Sequence, residues 1–337
     1  MKKKNAKYVV GVDLGGTKIL SAVIDSRYRI LSRAKKNTRP ERGVDVVVDR
    51  VAASIEEALD ELNLTYADIK AIGIGAPGMC DPKHGTVLFA PNLAWRNEPL
   101  GRMLSKYFGV PVHVENDVNV GTLGVYHLEL LKSKPVPRSV VGIFVGTGIG
   151  SGIIINSELF RGHNFTAGEI GHMALSAEGG LKCGCGNRGC LEAFAGRLGL
   201  VKRIIAEMKN EKGDTPLHRM LAEEKDHKIK SKHVAEALHK RDPIVTRLVN
   251  EVAEYLGMAI VNVMHLLNPD AVVLGGGVMQ SFGDYIMPRV RKAIKRRGIP
   301  VCCDGIQLVG TQLGDDAGIL GAAVLAWTSL AAKTKRS

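Results

Sequence analysis

Three cysteines and one upstream histidine are spaced so that they could bind a metal ion. Cys183, Cys185 and Cys190 lie within eight positions, and His172 precedes the first of them by eleven residues. Three thiolates and one imidazole make a four-ligand set that closes a structural zinc site, and the intervening glycines allow sharp turns. The alternative is a turn of reduced cysteines, which the oxidation hazard of three grouped thiols disfavours. The pattern predicts structural Zn²⁺.

Two glutamates flank these predicted ligands. Glu192 follows Cys190 by two residues, and Glu169 precedes His172 by three. Sugar hydroxyls need several fixed hydrogen-bond acceptors, and a carboxylate suits vicinal diols because it accepts through two oxygens. Because three thiolates and one imidazole leave the metal no open position, we expect the ion to position the two carboxylates without taking part in the chemistry.

A glycine turn near the N-terminus offers groups that suit phosphate. In GVDLGGTK, the backbone N–H groups of Gly15 and Gly16 can cradle phosphate oxygens, while Thr17 adds a hydroxyl and Lys18 a positive charge. Asp13, at the end of the preceding strand, could hold Mg²⁺ through water. A plain glycine hairpin is the alternative interpretation of this turn taken alone.

Two further glycine segments strengthen the phosphate interpretation. VGTGIGSG repeats the strand, turn and strand arrangement, so two turns could hold a polyphosphate between them. In LGGGV a strand runs into glycines that would let the backbone approach an adenine or ribose, although a tight strand-to-helix turn explains the pattern equally well. The predicted nucleotide-binding residues of these two segments are Gly146, Thr147, Gly148, Gly275, Gly276 and Gly277.

The segment VENDVN carries the candidate proton acceptor. Glu115, Asn116, Asp117 and Asn119 lie at the end of a predicted strand, where Asn116 and Asp117 can point into a cleft together. A carboxylate there could take the proton of an attacking hydroxyl group. The alternative for Asp117 is a helix N-cap, which is the commoner role of an isolated aspartate.

The first half of the chain contains strands whose ends present these groups. Tyr8 to Leu14 and Ile19 to Ile24 read as a hairpin, followed by a third strand in RYRILSRAK. Apolar residues at helical spacing between Val44 and Leu62 predict a helix that covers the sheet. IKAIGIGAPG and VPVHVENDVN are typical of further strands.

The second half repeats this organisation. VVGIFVGTGIGSGIIIN is again strand, glycine turn and strand, which suggests duplicated halves. A long helix is predicted from Asp242-Pro243 to Asn268-Pro269, and AVVLGGGV is the next buried strand. Strands that alternate with helices indicate an α/β protein.

Composition narrows the functional classes. The 337 residues are 45% hydrophobic and 24% charged, and an aromatic content of 5% argues against a stacking surface for single-stranded nucleic acid. The formal charge of +12 is scattered along the chain, so it indicates solvated faces. Neither an export signal nor a membrane span is visible, and six cysteines then favour metal binding or burial in a reducing cytosol. We expect a cytoplasmic protein.

The order of these motifs resembles the ROK family of sugar kinases, within the hexokinase, actin and heat-shock ATPase superfamily. The resemblance covers nearly the whole chain. It rests on GVDLGGTK, GAPG, PNLAW, ENDVN, VGTGIGSG, AGEIGH, the cysteine pattern from Gly180 to Glu192, and NPDAVVLGGG.

The resemblance implies two ribonuclease-H-like α/β domains of the actin and hexokinase type around a central cleft. Residues 1–122 plus 312–337, with a returning C-terminal helix, would form the small domain. Residues 123–311 would form the large domain with the zinc site. ATP with Mg²⁺ would be the phosphoryl donor and a hexose the acceptor. Among kinases of that family, the E-I-G-H and C-L-E segments look most like those of bacterial glucokinases, and N-acetylmannosamine kinase is the alternative.

The resemblance also assigns residues. Asp117 looks like the general base, and His172 with the three cysteines looks like the zinc set. The residues that look like sugar ligands are Gly78, Asn92, Asn116, Asp117, Glu169, His172 and Glu192.

Repressors of the same family carry a DNA-binding winged helix before the first strand. Only seven residues precede Tyr8 here, which leaves no room for a helix-turn-helix, so no nucleic-acid partner is expected. A sugar-binding or nucleic-acid-binding zinc protein without kinase activity is the alternative from a different class. Family likeness suggests a homodimer or homotetramer.

Overall fold

The computed structural model describes residues 6–210, 215–222 and 228–334. The chain divides into two compact units. The first comprises Met1–Val136, Gly152–Ala167 and Asp315–Ser337, and the second comprises Pro137–Ser151 and Gly168–Gly314.

The described residues form both strands and helices. The strands are β1 (Tyr8–Leu14), β2 (Lys18–Ile24), β3 (Ile30–Asn37), β4 (Ile69–Ala76), β5 (Met79–Asp81), β6 (Thr86–Ala90), β7 (Trp95–Glu98), β8 (Val112–Asn116), β9 (Val140–Val145), β10 (Ile149–Ile155), β11 (Glu158–Leu159), β12 (Ala271–Gly275) and β13 (Gln307–Gly310). The α-helices are α1 (Val44–Asp60), α2 (Leu100–Phe108), α3 (Asp117–Leu128), α4 (Leu191–Ala195), α5 (Arg197–Asn210), α6 (Pro216–Ala222), α7 (Ser231–His239), α8 (Pro243–Leu267), α9 (Gly277–Arg297), α10 (Pro300–Cys303) and α11 (Ala317–Thr334). Short 3-10 helices cover Pro40–Arg42, Tyr66–Asp68, Pro91–Leu93, Leu130–Lys132, Ile170–His172 and Gly314–Asp316.

Two five-stranded sheets share one topology. Their strand orders are β3-β2-β1-β4-β8 and β11-β10-β9-β12-β13, which is the order 3-2-1-4-5 when each sheet is counted along the chain. β1 pairs antiparallel with β2 and parallel with β4, and β12 pairs parallel with β9 and with β13. A separate three-stranded sheet has the order β5-β6-β7. The matching orders confirm the predicted α/β class and the predicted likeness of the two halves.

Helix α1 covers β2 and β3 of the first sheet, as its apolar spacing predicted. Val47, Val51, Ile55 and Leu59 recur at intervals of four and are buried together with side chains of β1 and β4. Spacing of this kind puts the four side chains on one helix face, and the face supplies much of the core of the first unit.

The C-terminal helix α11 returns to pack against β1 and β4, and two strand glycines let it approach closely. A Cβ atom on Gly73 would lie 1.9 Å from the carbonyl oxygen of Ala322, and one on Gly11 would lie 2.1 Å from that of Ile319. Helix α3 also packs against α11, through buried Val120 and Leu123. For this reason the first compact unit extends past residue 122, where the sequence predicted a domain boundary.

Helix α8 has the ends that the sequence predicted. The carboxylate of Asp242 caps it by accepting from the amide of Val245, with Pro243 in the first turn, and Asn268 ends it with φ 41°. Asp242 is fully buried and also accepts from the amide of Leu217, so it ties α6 to α8. The apolar face of α8 packs on α9, α5 and α4.

The long uncharged segment at residues 139–156 forms β9 and β10, as predicted. Both strands are mostly buried. Among the described helices, none combines the length and the apolar character needed to cross a lipid bilayer.

The contact between Gly73 and α11 can be tested by adding one methyl group. We expect Gly73→Ala to lower the free energy of unfolding by about 2–4 kcal/mol, because the new Cβ would overlap a backbone oxygen that moves only with its helix. Urea denaturation measures the loss. Gly310→Ala is the control, since the nearest atom to its Cβ would be 4.0 Å away. Equal losses in both variants would contradict the close packing of α11.

Candidate active site

Thr38 holds the turn between β1 and β2 through two hydrogen bonds. Its hydroxyl donates to the carbonyl oxygen of Gly15 at 2.6 Å, and its amide donates to that of Thr17 at 3.0 Å. The turn closes on itself through the bond from Gly15 N–H to Lys18 O, at 2.9 Å. The N–H groups of Gly16 and Thr17 have no partner in the described part of the chain, so the turn can donate to an anion. Sequence reasoning missed Thr38, which only the pairing of β2 with β3 brings to the turn.

Asp13 is the penultimate residue of β1, close to this turn. The first turn of α11 lies against it, since a Cβ on Gly318 would come within 2.9 Å of the Asp13 Cγ atom. Burial raises the pKa of Asp13; the charge of Lys18 opposes this effect and that of Asp315 adds to it. A nearby cation would favour the ionised carboxylate, so the position suits a metal-bound phosphate.

Asn116, at the junction of β8 and α3, makes four hydrogen bonds through its side chain. Its Oδ1 atom accepts from the amides of Val118 and Asn119, which makes Asn116 the N-cap of α3. Its Nδ2 atom donates at 3.0 Å to the carbonyl oxygen of Gly78 and to Oδ1 of Asp117. An amide side chain can accept two hydrogen bonds and donate two, so Asn116 has no hydrogen-bonding position left. The alternative interpretation of Asp117 as the N-cap is therefore wrong, because its neighbour caps the helix.

Asp117 is the first residue of α3 and presents one bonded and one open oxygen. Oδ1 accepts from Val118 N–H at 2.9 Å and from Asn116, whereas Oδ2 has no hydrogen-bond partner among the described residues. Burial is the main cause that raises the pKa of Asp117 to about 7, and the charge of Asp13 adds to it. Hydrogen bonds from Val118, from its own amide and from Asn116 act in the opposite direction. A carboxylate with these properties suits general base catalysis near neutral pH.

Two more predicted residues of the first unit lie near these groups. A Cβ on Gly16 would lie 3.2 Å from the Cβ atom of Asn92, so Asn92 stands beside the first glycine turn. Asn92 is exposed on the 3-10 helix Pro91–Leu93, and Gly78 is joined to Asn116. The first unit therefore brings its predicted phosphate turn, carboxylates and amides to one edge of its sheet.

The second glycine turn, between β9 and β10, rests on the first turn of α5. The carbonyl oxygens of Gly146 and Thr147 accept from the amides of Arg197 and Leu198, at 3.0 and 3.1 Å. The amides of Thr147 and Gly148 have no partner within the described ranges and remain available to an anion. The strand glycines lie at the same sheet edge, because Gly275 pairs with Phe144. Gly276 caps α9 with φ 89°, a conformation that favours glycine. The predicted loop is thus a tight strand-to-helix turn.

Glu192 joins this second turn to the cysteine cluster. Its Oε2 atom accepts from the amide of Ile149 at 3.0 Å, and a Cβ on Gly148 would lie 2.0 Å from that oxygen. Its Oε1 atom lies 3.7 Å from Cys183 Sγ. Glu169 is exposed, and its Oε2 atom is 3.9 Å from His172 Nε2. The two predicted carboxylates therefore lie near different metal-ligand candidates, Glu192 near Cys183 and Glu169 near His172.

The four predicted metal ligands converge. The ligand atoms of His172, Cys183, Cys185 and Cys190 all lie within 4.8 Å of one another. Cys185 and Cys190 are 3.8 Å apart between sulfurs, and Cys183 Sγ lies 3.7 Å from Nδ1 of His172. A tetrahedral zinc site with bonds of about 2.3 Å to sulfur separates two sulfurs by about 3.8 Å. The donor set and its spacing fit zinc, with Nδ1 as the histidine ligand and Nε2 turned toward Glu169.

Comparison with known proteins places the chain among relatives. The model of the ROK family matches residues 9–329. This chain belongs to the ROK family. A glucokinase from Streptomyces coelicolor is 36% identical over 326 residues, which cover 94% of this chain and 96% of the relative. Membership confirms the resemblance on which the predicted two-domain actin and hexokinase-like fold rests.

A solved structure and a repressor extend the comparison within the ROK family. The crystal structure of a ROK family glucokinase from Streptomyces griseus, in complex with glucose and AMPPNP, is 35% identical with a TM-score of 0.81; the match covers 95% of this chain and 99% of that chain. A xylose repressor from Caldicellulosiruptor bescii is 29% identical over 94% of this chain and 77% of its own length. Relatives of this ROK protein therefore include both kinases and repressors.

Metal content tests the cysteine cluster directly. We expect about one zinc ion per chain after dialysis against a weak chelator, and we expect Cys190→Ser to lose most of it together with thermal stability, because the variant removes a buried thiolate. Inductively coupled plasma mass spectrometry measures the ion. Cys303→Ser lies outside the cluster and should keep the metal. The assignment would be contradicted if the wild-type protein contained no metal and Cys190→Ser were as stable as the wild type.

The raised pKa of Asp117 implies a pH-dependent cost in stability. The folded protein binds this proton more tightly than the unfolded chain, so the contribution is complete below about pH 4 and is lost as pH rises through about 7. We expect Asp117→Asn to be more stable than wild type at pH 8, by on the order of 1–3 kcal/mol, and the gain to shrink at pH 5. Urea denaturation at both pH values measures it.

Asp25 supplies a control of opposite sign for that comparison. Burial raises the pKa of Asp25, but hydrogen bonds from Arg29 and Arg27 outweigh burial and lower it. The ionised form is therefore favoured by folding, so Asp25→Asn should lose stability at pH 8. A gain for Asp117→Asn that is equal at both pH values would show that its carboxyl group does not titrate as described.

Proposed function

We propose that this ROK protein is an ATP-dependent hexose kinase that transfers the γ-phosphoryl group to the 6-hydroxyl of a sugar, with glucose as the preferred acceptor. The observation that carries the proposal is Asp117: a carboxylate held through Oδ1, open at Oδ2, with a pKa raised to about 7. The ROK glucokinases that are 35% and 36% identical support the substrate class.

The proton transfer follows from the geometry at Asp117. Its open Oδ2 atom would accept the proton of the sugar 6-hydroxyl while that oxygen forms a bond to the γ-phosphorus and the bond from the γ-phosphorus to the bridging oxygen breaks. ADP leaves with the electron pair. Phosphoryl transfer depends mostly on alignment and charge stabilisation, so the held Oδ1 atom matters as much as basicity. The hydrogen bond from Asn116 supplies that alignment.

The phosphate groups would be bound by backbone amides. Among the described residues, the N–H groups of Gly16 and Thr17 have no hydrogen-bond partner, and neither have those of Thr147 and Gly148, so each turn can donate to an anion by itself. Lys18 would add positive charge, and Asp13 would hold Mg²⁺. When bound, Mg²⁺ neutralises charge that develops on the phosphate oxygens.

The sugar would be recognised by the groups around the cysteine cluster. Glu169 is exposed and can accept hydrogen bonds from hydroxyls, and His172 presents Nε2 on the side away from the sulfurs. Glu192 keeps the remaining acceptor positions of its carboxylate. Bound zinc would fix the loop that carries these residues without offering an open coordination position.

A coupled assay of ADP release tests the function and its substrate together. Among a panel of hexoses and N-acetylhexosamines, we expect glucose to give the highest kcat/KM. Asp117→Asn should lower kcat by about 10² to 10⁴ fold while sugar binding remains measurable by calorimetry, because the loss falls on the proton transfer.

Asp25→Asn is the matched control for this assay, because it makes the same substitution at an aspartate bound to Arg29 and Arg27. Near-normal turnover of Asp117→Asn would defeat the proposed base. A higher kcat/KM for N-acetylmannosamine would replace glucose as substrate and leave the reaction class intact. Absence of ADP release with every sugar would refute the kinase.

A further inference from the structure

A partly buried ion pair, Glu115 with Arg161, adjoins the Asn116–Asp117 corner. The Oε2 atom of Glu115 accepts from Nε of Arg161 at 2.6 Å. The Glu115 side chain is 2% exposed and that of Arg161 is 32% exposed. The other carboxylate oxygen of Glu115 accepts from the backbone amide of Asn116 and from the side chain of Asn119, both at 3.0 Å. One carboxylate therefore joins an arginine from a distant segment to the start of α3.

We propose that Arg161 is a positioning residue for proton transfer: by neutralising Glu115, it holds the Asn116–Asp117 corner in place and keeps Asp117 able to ionise. The proposal deepens the kinase function proposed above and rests on it for the activity measurements. No motif in the sequence singles out Arg161, and the proposed mechanism does not use the pair.

Burial of the Glu115 side chain is costly unless its negative charge is compensated. A carboxylate that is almost fully buried stays ionised only if hydrogen bonds and a counter-charge compensate its lost hydration. Three donors reach Glu115, and Arg161 is the one among them that carries charge. Without Arg161, the negative charge of Glu115 would lack its counter-charge and would disfavour a second negative charge on nearby Asp117.

Arg161 is itself held in place by backbone contacts. Its Nη1 atom donates to the carbonyl oxygen of Leu159, and its own carbonyl oxygen accepts from the amide of Ala167 at 3.1 Å. The segment from 161 to 167 thus forms a closed loop with Arg161 at its base. A guanidinium fixed in this way keeps its Nε–H directed at Glu115, which a freely rotating surface side chain would not do.

Asp117 is surrounded mainly by acidic groups, so one added negative charge matters. Asp13 faces it from β1, and Cys80 of β5 lies near both Asp117 and Glu115. Glu115 lies on β8, with His113 two residues earlier on the same strand. The charges that reach Asp13 are Lys18 and Asp315. Of these neighbours, Arg161 and Lys18 are the permanent cations, and Arg161 is the one bonded to the β8–α3 junction.

The pH dependence of kcat/KM separates this role from a merely structural one. We expect Arg161→Met to raise the pH of the acid limb by about one to two units and to lower kcat at pH 7 by about tenfold, because an unpaired Glu115 disfavours ionisation of Asp117. The hexose KM should change less than about threefold, since Arg161 contacts no predicted sugar ligand. Arg161→Lys keeps the charge but loses the fixed guanidinium, so its acid limb should lie between those of wild type and Arg161→Met.

Removing the other partner should act in the opposite direction. Glu115→Gln leaves the arginine charge in place and should lower the pH of the acid limb of kcat/KM. The double variant Glu115→Gln with Arg161→Met should return this pH to within about half a unit of the wild-type value. Opposite signs for the two single variants are not produced by loss of packing. Glu115→Gln also keeps the test decisive if Arg161→Met does not fold.

Arg29→Met is the matched control, because Arg29 forms an ion pair with the largely buried Asp25 in the same unit. It should leave the acid limb unchanged. The ¹³Cγ shift of Asp117, assigned with Asp117→Asn and titrated without substrates, gives the same comparison independently of activity. If wild type phosphorylates no sugar, the kinase function fails, and this titration still decides the role of Arg161. Acid limbs and ¹³Cγ titrations that coincide in Arg161→Met, Glu115→Gln and Arg29→Met would overturn the proposal.

Discussion

The hydrogen bonds of Asn116 at the start of α3 are the constraint on which the candidate site depends. A single amide caps the helix through Oδ1 and holds both Gly78 and Asp117 through Nδ2. Because every hydrogen-bonding position of the amide is used, the Asn116 side chain has one stable orientation. Its hydrogen bond to Asp117 fixes the orientation of that carboxylate as well. Oδ2 of Asp117 stays open as a consequence, since Asn116 Nδ2 and the amide of Val118 both donate to Oδ1. A general base needs this fixed direction before its basicity has any effect.

The same corner also shows why the site costs stability. Asp13 and Asp117 are two acids in one poorly hydrated region, and burial raises the pKa of each. Folding must then work against their ionisation, which is the usual conflict between stability and activity at a catalytic site. The close packing of α11 on Gly11 and Gly73 provides a rigid backing for the sheet edge where these acids lie.

Much of the fold could be predicted because its signals are local. Helix α8 begins and ends at Asp242 and Asn268, since capping and proline chemistry act within a few residues. The two glycine hairpins could be predicted because strand alternation and turn residues are adjacent in sequence. The cysteine cluster was equally accessible, since three of its four ligands lie within eight positions. By contrast, Thr38 supports the first turn from the position after β3, and Arg161 reaches Glu115 across 46 positions. No local pattern records such contacts.

The sequence by itself determined the two glycine hairpins, helices α1 and α8, the likeness of the two halves and the residue types available for chemistry, because these follow from periodicity, capping and spacing along one chain. Only the tertiary structure decided which of two adjacent polar residues caps α3 and which keeps an open oxygen. It also decided which nitrogen of His172 faces the sulfurs, and that Glu192 joins the second glycine turn to the cysteine cluster. The physical reason is that orientation, burial and charge balance depend on atoms supplied by distant segments, and these meet only when the sheets and helices have packed.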